Sequence, residues 1–95
     1  MKELQDRGHK LILWTVRSTD TLREAVDYCE EKGIEFLGIN ENPTQKFWSG
    51  SPKAYAQLFI DDAALGCPLI YSEGERRPYA DWTEIRKMLK ALSML

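Results

Sequence analysis

Histidine, cysteine and proline are scarce in this chain: 95 residues hold one, two and four of them. Two cysteines are too few for a disulfide scaffold, and Cys29 and Cys67 lack the close spacing of a metal-binding pair. A single histidine, His9, rules out a histidine-cluster metal centre, and its place after Gly8 suggests a solvated helix end with no chemistry. Positive charge is not in excess either. Thirteen Lys and Arg stand against fifteen Asp and Glu, a net charge of −2, so the electrostatic footprint of a nucleic-acid binder is missing. No apolar run approaches a membrane span, and no signal-peptide core is visible. These absences predict a cytoplasmic chain with reduced thiols, no nucleic-acid partner and no membrane partner. A hydrophobic fraction of 43% and a charged fraction of 29% are ordinary for a soluble globular protein, and the length predicts a single domain over 1–95.

What is present is organised around Leu58-Phe59-Ile60-Asp61-Asp62-Ala63-Ala64-Leu65-Gly66. Three apolar residues running into two carboxylates suit a strand buried on both faces, with its acidic end where ligands bind in an open α/β sheet. Carboxylate oxygens there suit Mg²⁺. The competing reading has one aspartate capping a turn and the other solvated. On this stretch alone both stay open.

The remaining elements follow from local signals. Met1–Arg7 reads as the end of a helix stopped by Gly8, and no cap precedes it, so the chain is expected to start inside an element. Leu11–Val16 is an apolar, branched and aromatic strand. Thr21 and Glu24 fit a capping box for a helix whose apolar face is Leu22, Ala25, Val26 and Cys29, ended by Gly33. A strand is expected over Ile34–Ile39 and a loop over Asn40–Ser51. The loop's Phe47 and Trp48 either line a substrate mouth or, the favoured reading, pin the loop by burial. A short helix over Pro52–Gln57 leads into Leu58–Ile60. Pro68–Tyr71 suits a short strand, and Ser72–Tyr79 a charged loop with Arg76 and Arg77. Asp81 and Glu84 cap a last helix with the stripe Trp82, Ile85, Leu89 and Leu92. The expected core is Leu11, Leu13, Val26, Phe36, Ile39, Leu58, Ile60, Ile85 and Leu89. Helix and strand alternate, which predicts an α/β fold: a mostly parallel, three-layer, Rossmann-like sheet with right-handed crossovers.

Such a sheet gathers strand-end residues on one edge: Thr15 with Arg17, Asn40, and Asp61 with Asp62, with Lys53 just before the aspartate strand. A hydroxyl and an ammonium can donate to phosphate oxygens while carboxylates hold a metal. Taken singly, Thr15 is a good strand residue, Lys53 a surface lysine and Arg17 a solvated strand end.

The order resembles the haloacid dehalogenase (HAD) superfamily of Mg²⁺-dependent phosphohydrolases, and nearly the whole chain takes part. Leu11-Ile12-Leu13-Trp14-Thr15-Val16-Arg17 looks like the second motif of that family. Ser51-Pro52-Lys53 looks like the third, and Leu58-Phe59-Ile60-Asp61-Asp62 the fourth. Small, capless bacterial members are the most similar. The resemblance implies hydrolysis of a small phosphorylated substrate. Thr15 would be the phosphate donor, Lys53 the charge stabiliser and Asp61 the Mg²⁺ ligand with Asp62 as its partner or alternate; Arg17 and Asn40, by their strand-end places, are the candidate substrate-binding residues. It also implies a first motif, Asp-x-Asp on a central N-terminal strand, whose first aspartate attacks phosphorus.

Nothing before Leu11 supplies that motif; Asp6 is the only aspartate there. The expectation is therefore an N-terminally truncated HAD-like sheet, missing its central first strand, binding Mg²⁺ weakly and inactive as it stands. Its unpaired edges offer a route to self-association. The alternative is a non-catalytic α/β binding or interaction module with a phosphate- and Mg²⁺-friendly rim. A receiver-like domain fits least, because receivers carry their acidic pair after an early strand.

Overall fold

Gly8 and Gly33 set the first two reversals of the chain. Each sits in the left-handed region, at φ +90° and +77°, where a side chain would be strained. Each ends a helix in the same way. After α1 (Lys2–Asp6) the Gly8 N–H donates to the Gln5 carbonyl and the His9 N–H to that of Leu4. After α2 (Thr19–Glu31) the Gly33 N–H donates to Glu30 and the Ile34 N–H to Cys29. This paired pattern satisfies carbonyls that a helix end otherwise leaves open. The structure is a computed structural model and describes residues 1–74 and 77–95; Glu75 and Arg76, including the arginine expected in the charged loop, lie outside the described residues.

The chain divides into two units, Met1–Gln57 and Leu58–Leu95. In the first, β1 (Leu11–Leu13) pairs in parallel with β2 (Phe36–Ile39). Leu11 opposes Phe36, Ile12 opposes Gly38 and Leu13 opposes Ile39, so Leu37 is an extra residue in the register. Gly38 allows the chain to fold back closely: a Cβ there would lie 2.5 Å from the Glu41 carbonyl oxygen and 2.9 Å from the Pro43 ring. The side chain of Gln5 joins α1 to the turn before β2. Its amide donates to the Gly33 carbonyl, and its oxygen accepts the Glu35 N–H. The buried apolar residues of this unit are Leu4, Cys29, Ile34 and Ala54.

In the second unit β3 (Leu69–Ile70) and β4 (Tyr79–Ala80) form an antiparallel pair, Leu69 opposite Ala80 and Ile70 opposite Tyr79. The strand expected over Pro68–Tyr71 is present, with a partner that the charged loop had hidden. α3 (Trp82–Ala91) follows directly, and the Asp81 side chain accepts the Glu84 N–H at 3.2 Å as its cap. Ile85 and Leu89 are its buried residues, whereas Trp82 and Leu92 on the expected stripe are exposed.

A small α/β fold with a short parallel sheet and three helices is thus present. Several local expectations are corrected. Leu58–Ile60 is not a strand: it lies outside both sheets, which pair β1 with β2 and β3 with β4. Pro52–Gln57 is not helical; the groups an α-helix would use there are bound by a side chain described below. α2 is capped at Ser18 without a side-chain bond, and the Thr21 hydroxyl donates to the Ser18 carbonyl instead of closing a capping box. Of the expected core, Ile85 and Leu89 are buried, Leu11, Leu13, Val26, Phe36 and Ile60 are half-buried, and Ile39 and Leu58 are exposed. Among the described residues no helix is long and apolar enough to cross a membrane.

Candidate functional site

β1 stops pairing through its backbone at Leu13, whose carbonyl accepts the Asn40 N–H at 2.7 Å. The next rung is made by a side chain. Asn40 Oδ1 accepts the Thr15 N–H and Nδ2 donates to the Thr15 carbonyl, both at 2.8 Å. Asn40 itself lies at φ +56°, a conformation that asparagine tolerates better than most residues. The clamp fixes the backbone of Thr15 just past the strand. The Thr15 hydroxyl oxygen then accepts the Arg17 N–H at 3.1 Å. That leaves its proton with no acceptor among the described residues. The structure therefore joins Thr15, Arg17 and Asn40 into one hydrogen-bonded turn. The carboxamide of Asn40 is engaged with Thr15, so in this turn Asn40 orients another candidate.

Lys53 lies in the same unit, on a segment organised by Gln45. Gln45 is 7% exposed, at the start of a 3₁₀ turn over Gln45–Phe47. Its Nε2 donates to the carbonyls of Lys53 at 2.7 Å and Ser51 at 3.2 Å, and its Oε1 accepts the Tyr55 N–H at 2.7 Å. In an α-helix the Tyr55 N–H would bond to the Ser51 carbonyl; Gln45 takes both, which is why no helix forms there. Asn42 adds a bond from its amide to the Tyr55 carbonyl. Ala54 is buried between exposed Lys53 and Tyr55. The aromatics expected to pin this loop do not: Phe47 is 80% and Trp48 60% exposed, and Trp48 meets Tyr55 edge-on at 5.4 Å. Sequence reasoning missed Gln45, since a glutamine among polar loop residues carries no sign of burial.

Asp61 and Asp62 belong to the second unit. Asp61 Oδ1 accepts the Ala63 N–H at 3.1 Å, and its carbonyl accepts the Ala64 N–H, so the residue caps a tight turn. Oδ2 has no hydrogen-bond partner among the described residues. Asp62 approaches the Arg77 guanidinium at 4.0 Å in a solvent-exposed pair, a weak interaction at such exposure. Of the two readings of the acidic stretch, the cap is the one seen here: one Asp61 oxygen takes the Ala63 N–H, and Asp62 is exposed beside Arg77. No group of three metal-ligating residues occurs among the described residues. Two carboxylates still fit Mg²⁺, a hard ion that keeps several waters and commonly completes its shell with substrate phosphate.

No protein-family model matches the chain, and no curated protein matches it. A solved structure, that of the conserved protein coded by a locus from Bacteroides thetaiotaomicron, is similar at a TM-score of 0.69 and 35% identity over 96% of this chain. The chain spans 66% of the length of that protein.

Proposed function

We propose that the chain is a HAD-type, Mg²⁺-dependent phosphohydrolase unit with a three-layer Rossmann-like sheet, acting on small phosphorylated substrates. The observation that carries this reading is the state of Thr15. Its hydroxyl oxygen is held by the Arg17 N–H while its proton is uncommitted among the described residues, on the strand that resembles the family's second motif. Lys53 on its clamped segment supplies the positive charge, and Arg17 is the second cation in reach of the Thr15 turn by sequence. Asp61, with Asp62, would hold Mg²⁺, which when bound neutralises phosphoryl charge.

The chain contains no Asp-x-Asp, and this favours a second reading for these residues by themselves: a module that binds phosphate without hydrolysing it. None of Thr15, Lys53 or Asp61 is suited to attack phosphorus. In this reading Thr15 would donate to phosphate, Lys53 would serve as a cation and Asp61 as a metal ligand. Loss of a nucleophile that works within a catalytic unit costs about 10⁶ in rate in a well-studied protease.

The test compares the chain with a version extended by an N-terminal strand ending in Asp-x-Asp. Both are assayed on an aryl phosphate with Mg²⁺ and with chelator. Hydrolysis is expected only from the extended chain with Mg²⁺, and it should fall in Asp61→Asn, Lys53→Met and on changing the added first aspartate. Equal turnover by both chains, abolished in both by Asp61→Asn, would show that the nucleophile already lies among these residues, with Asp62 the first to test.

A further inference from the structure

Gln45 is the only polar residue that is buried among the described residues, and its carboxamide is fully used. Both amide hydrogens and the oxygen go to the backbone of one short segment, at Ser51, Lys53 and Tyr55. A buried amide whose partners all flank a single exposed lysine does more than fill space. It fixes the carbonyl of Lys53 from one side while the Lys53 N–H donates to Ser51 Oγ at 3.2 Å from the other. The backbone from which the Lys53 side chain projects is therefore held at both its polar groups. Aromatic contact reaches this segment only at Tyr55, where the exposed Trp48 meets it edge-on at 5.4 Å, and the hydrogen bonds to the Lys53 backbone come from Gln45 and Ser51. A lysine on an unrestrained loop would spend part of any ligand's binding energy on ordering.

We propose that Gln45 is a positioning residue for Lys53: it pre-sets the lysine to meet a phosphate oxygen. The proposal rests on the phosphate-binding reading of Lys53 above. Gln45 touches no ligand. Its effect on binding passes through the lysine and vanishes when the lysine is removed. A residue that merely keeps the loop folded would weaken binding whether or not Lys53 is present.

The experiment is a double-mutant cycle on the full chain with inorganic phosphate as the probe, read from amide shifts in ¹⁵N-labelled protein. Lys53→Met is expected to weaken phosphate about tenfold or more, the size of one charge-assisted hydrogen bond. Gln45→Met should weaken it by about three- to tenfold in the native background and leave it unchanged beside Lys53→Met. Gln45→Asn keeps the amide but falls one methylene short of its partners. It should behave in the same way, and it carries the comparison if the methionine variant loses its dispersed spectrum. Equal weakening in both backgrounds, or none in the native one, overturns the role of Gln45 and leaves the phosphate reading of Lys53 intact. Unchanged affinity in Lys53→Met overturns that reading, and the positioning role with it.

Discussion

The carboxamide of Asn40 pairs with the backbone of Thr15 as a neighbouring strand would, accepting its N–H and donating to its carbonyl, each at 2.8 Å. The β1–β2 ladder thus gains a rung made by a side chain. Gln5 does the same across Gly33 and Glu35, and Gln45 across Lys53 and Tyr55. Three carboxamides thus bind backbone as a neighbouring strand would: Asn40 beyond the end of β1, Gln5 just before β2, and Gln45 on a segment outside the sheets.

Asn40→Ala should therefore loosen Thr15 more than it destabilises the protein. The two bonds are solvent-exposed, so their loss should cost about 0.5–1.5 kcal/mol in urea unfolding. Exchange of the Thr15 amide with deuterium should rise well above that of Leu13. Protection of Thr15 equal to that of the parent would mean that the turn holds itself without Asn40.

The core predictions separate what is buried from what only looks apolar. Ile85 is 4% exposed and Leu58 38%. Ile85→Ala should cost about 2–5 kcal/mol, the range for a buried large-to-small change. Leu58→Ala should cost well under that, near the 0.5 kcal/mol typical of surface positions. Equal losses in denaturant unfolding would show that Leu58 is buried in solution, as the sequence alone suggests.

What was legible in the sequence was what is settled within a few residues. Gly8 and Gly33 end their helices through bonds reaching three and five residues back, and Asp81 caps α3 through Glu84 three residues on. The apolar runs at Leu11–Leu13 and Phe36–Ile39 pair as expected, since branched and aromatic residues favour strands wherever a partner exists. Leu58–Ile60 has a similar apolar composition and lies outside both sheets, so composition by itself does not decide which apolar run becomes a strand. The site residues divide in the same way. Thr15 could be placed at a strand end from its neighbours. Its clamp by Asn40 spans 25 residues, and the hold of Gln45 on Tyr55 spans 10. No local pattern marks which of several polar loop side chains turns inward.

Ser93 offers a stabilising change. It ends α3 as the two glycines end theirs, with its N–H to the Lys90 carbonyl and the Met94 N–H to that of Leu89, but at φ +61° with a side chain present. A left-handed conformation costs a non-glycine residue about 1–2 kcal/mol. Glycine relieves this and loses up to about 1 kcal/mol through its freer unfolded chain. Ser93→Gly should raise stability by a fraction of a kcal/mol, visible as a small increase in Tm. A lower Tm would mean that the serine side chain contributes more than its strain removes.

The metal prediction turns on Asp61 and Arg77. Two carboxylates on an open turn should bind Mg²⁺ weakly, on the order of millimolar, since waters must complete the octahedron. Asp61→Asn is the sharp test, because an asparagine Oδ1 can still accept the Ala63 N–H and keep the turn while the charge is lost. Calorimetry should then detect no Mg²⁺ binding, with Tm nearly unchanged. Arg77 works in the opposite direction: its guanidinium, 4.0 Å from Asp62, competes with a cation for that carboxylate. An exposed pair is worth at most about 1 kcal/mol, so Arg77→Ala should tighten Mg²⁺ by no more than about fivefold. Micromolar binding that survives Asp61→Asn would place the ion elsewhere in the chain. Weaker binding in Arg77→Ala would mean that the arginine holds Asp62 in the orientation the metal needs.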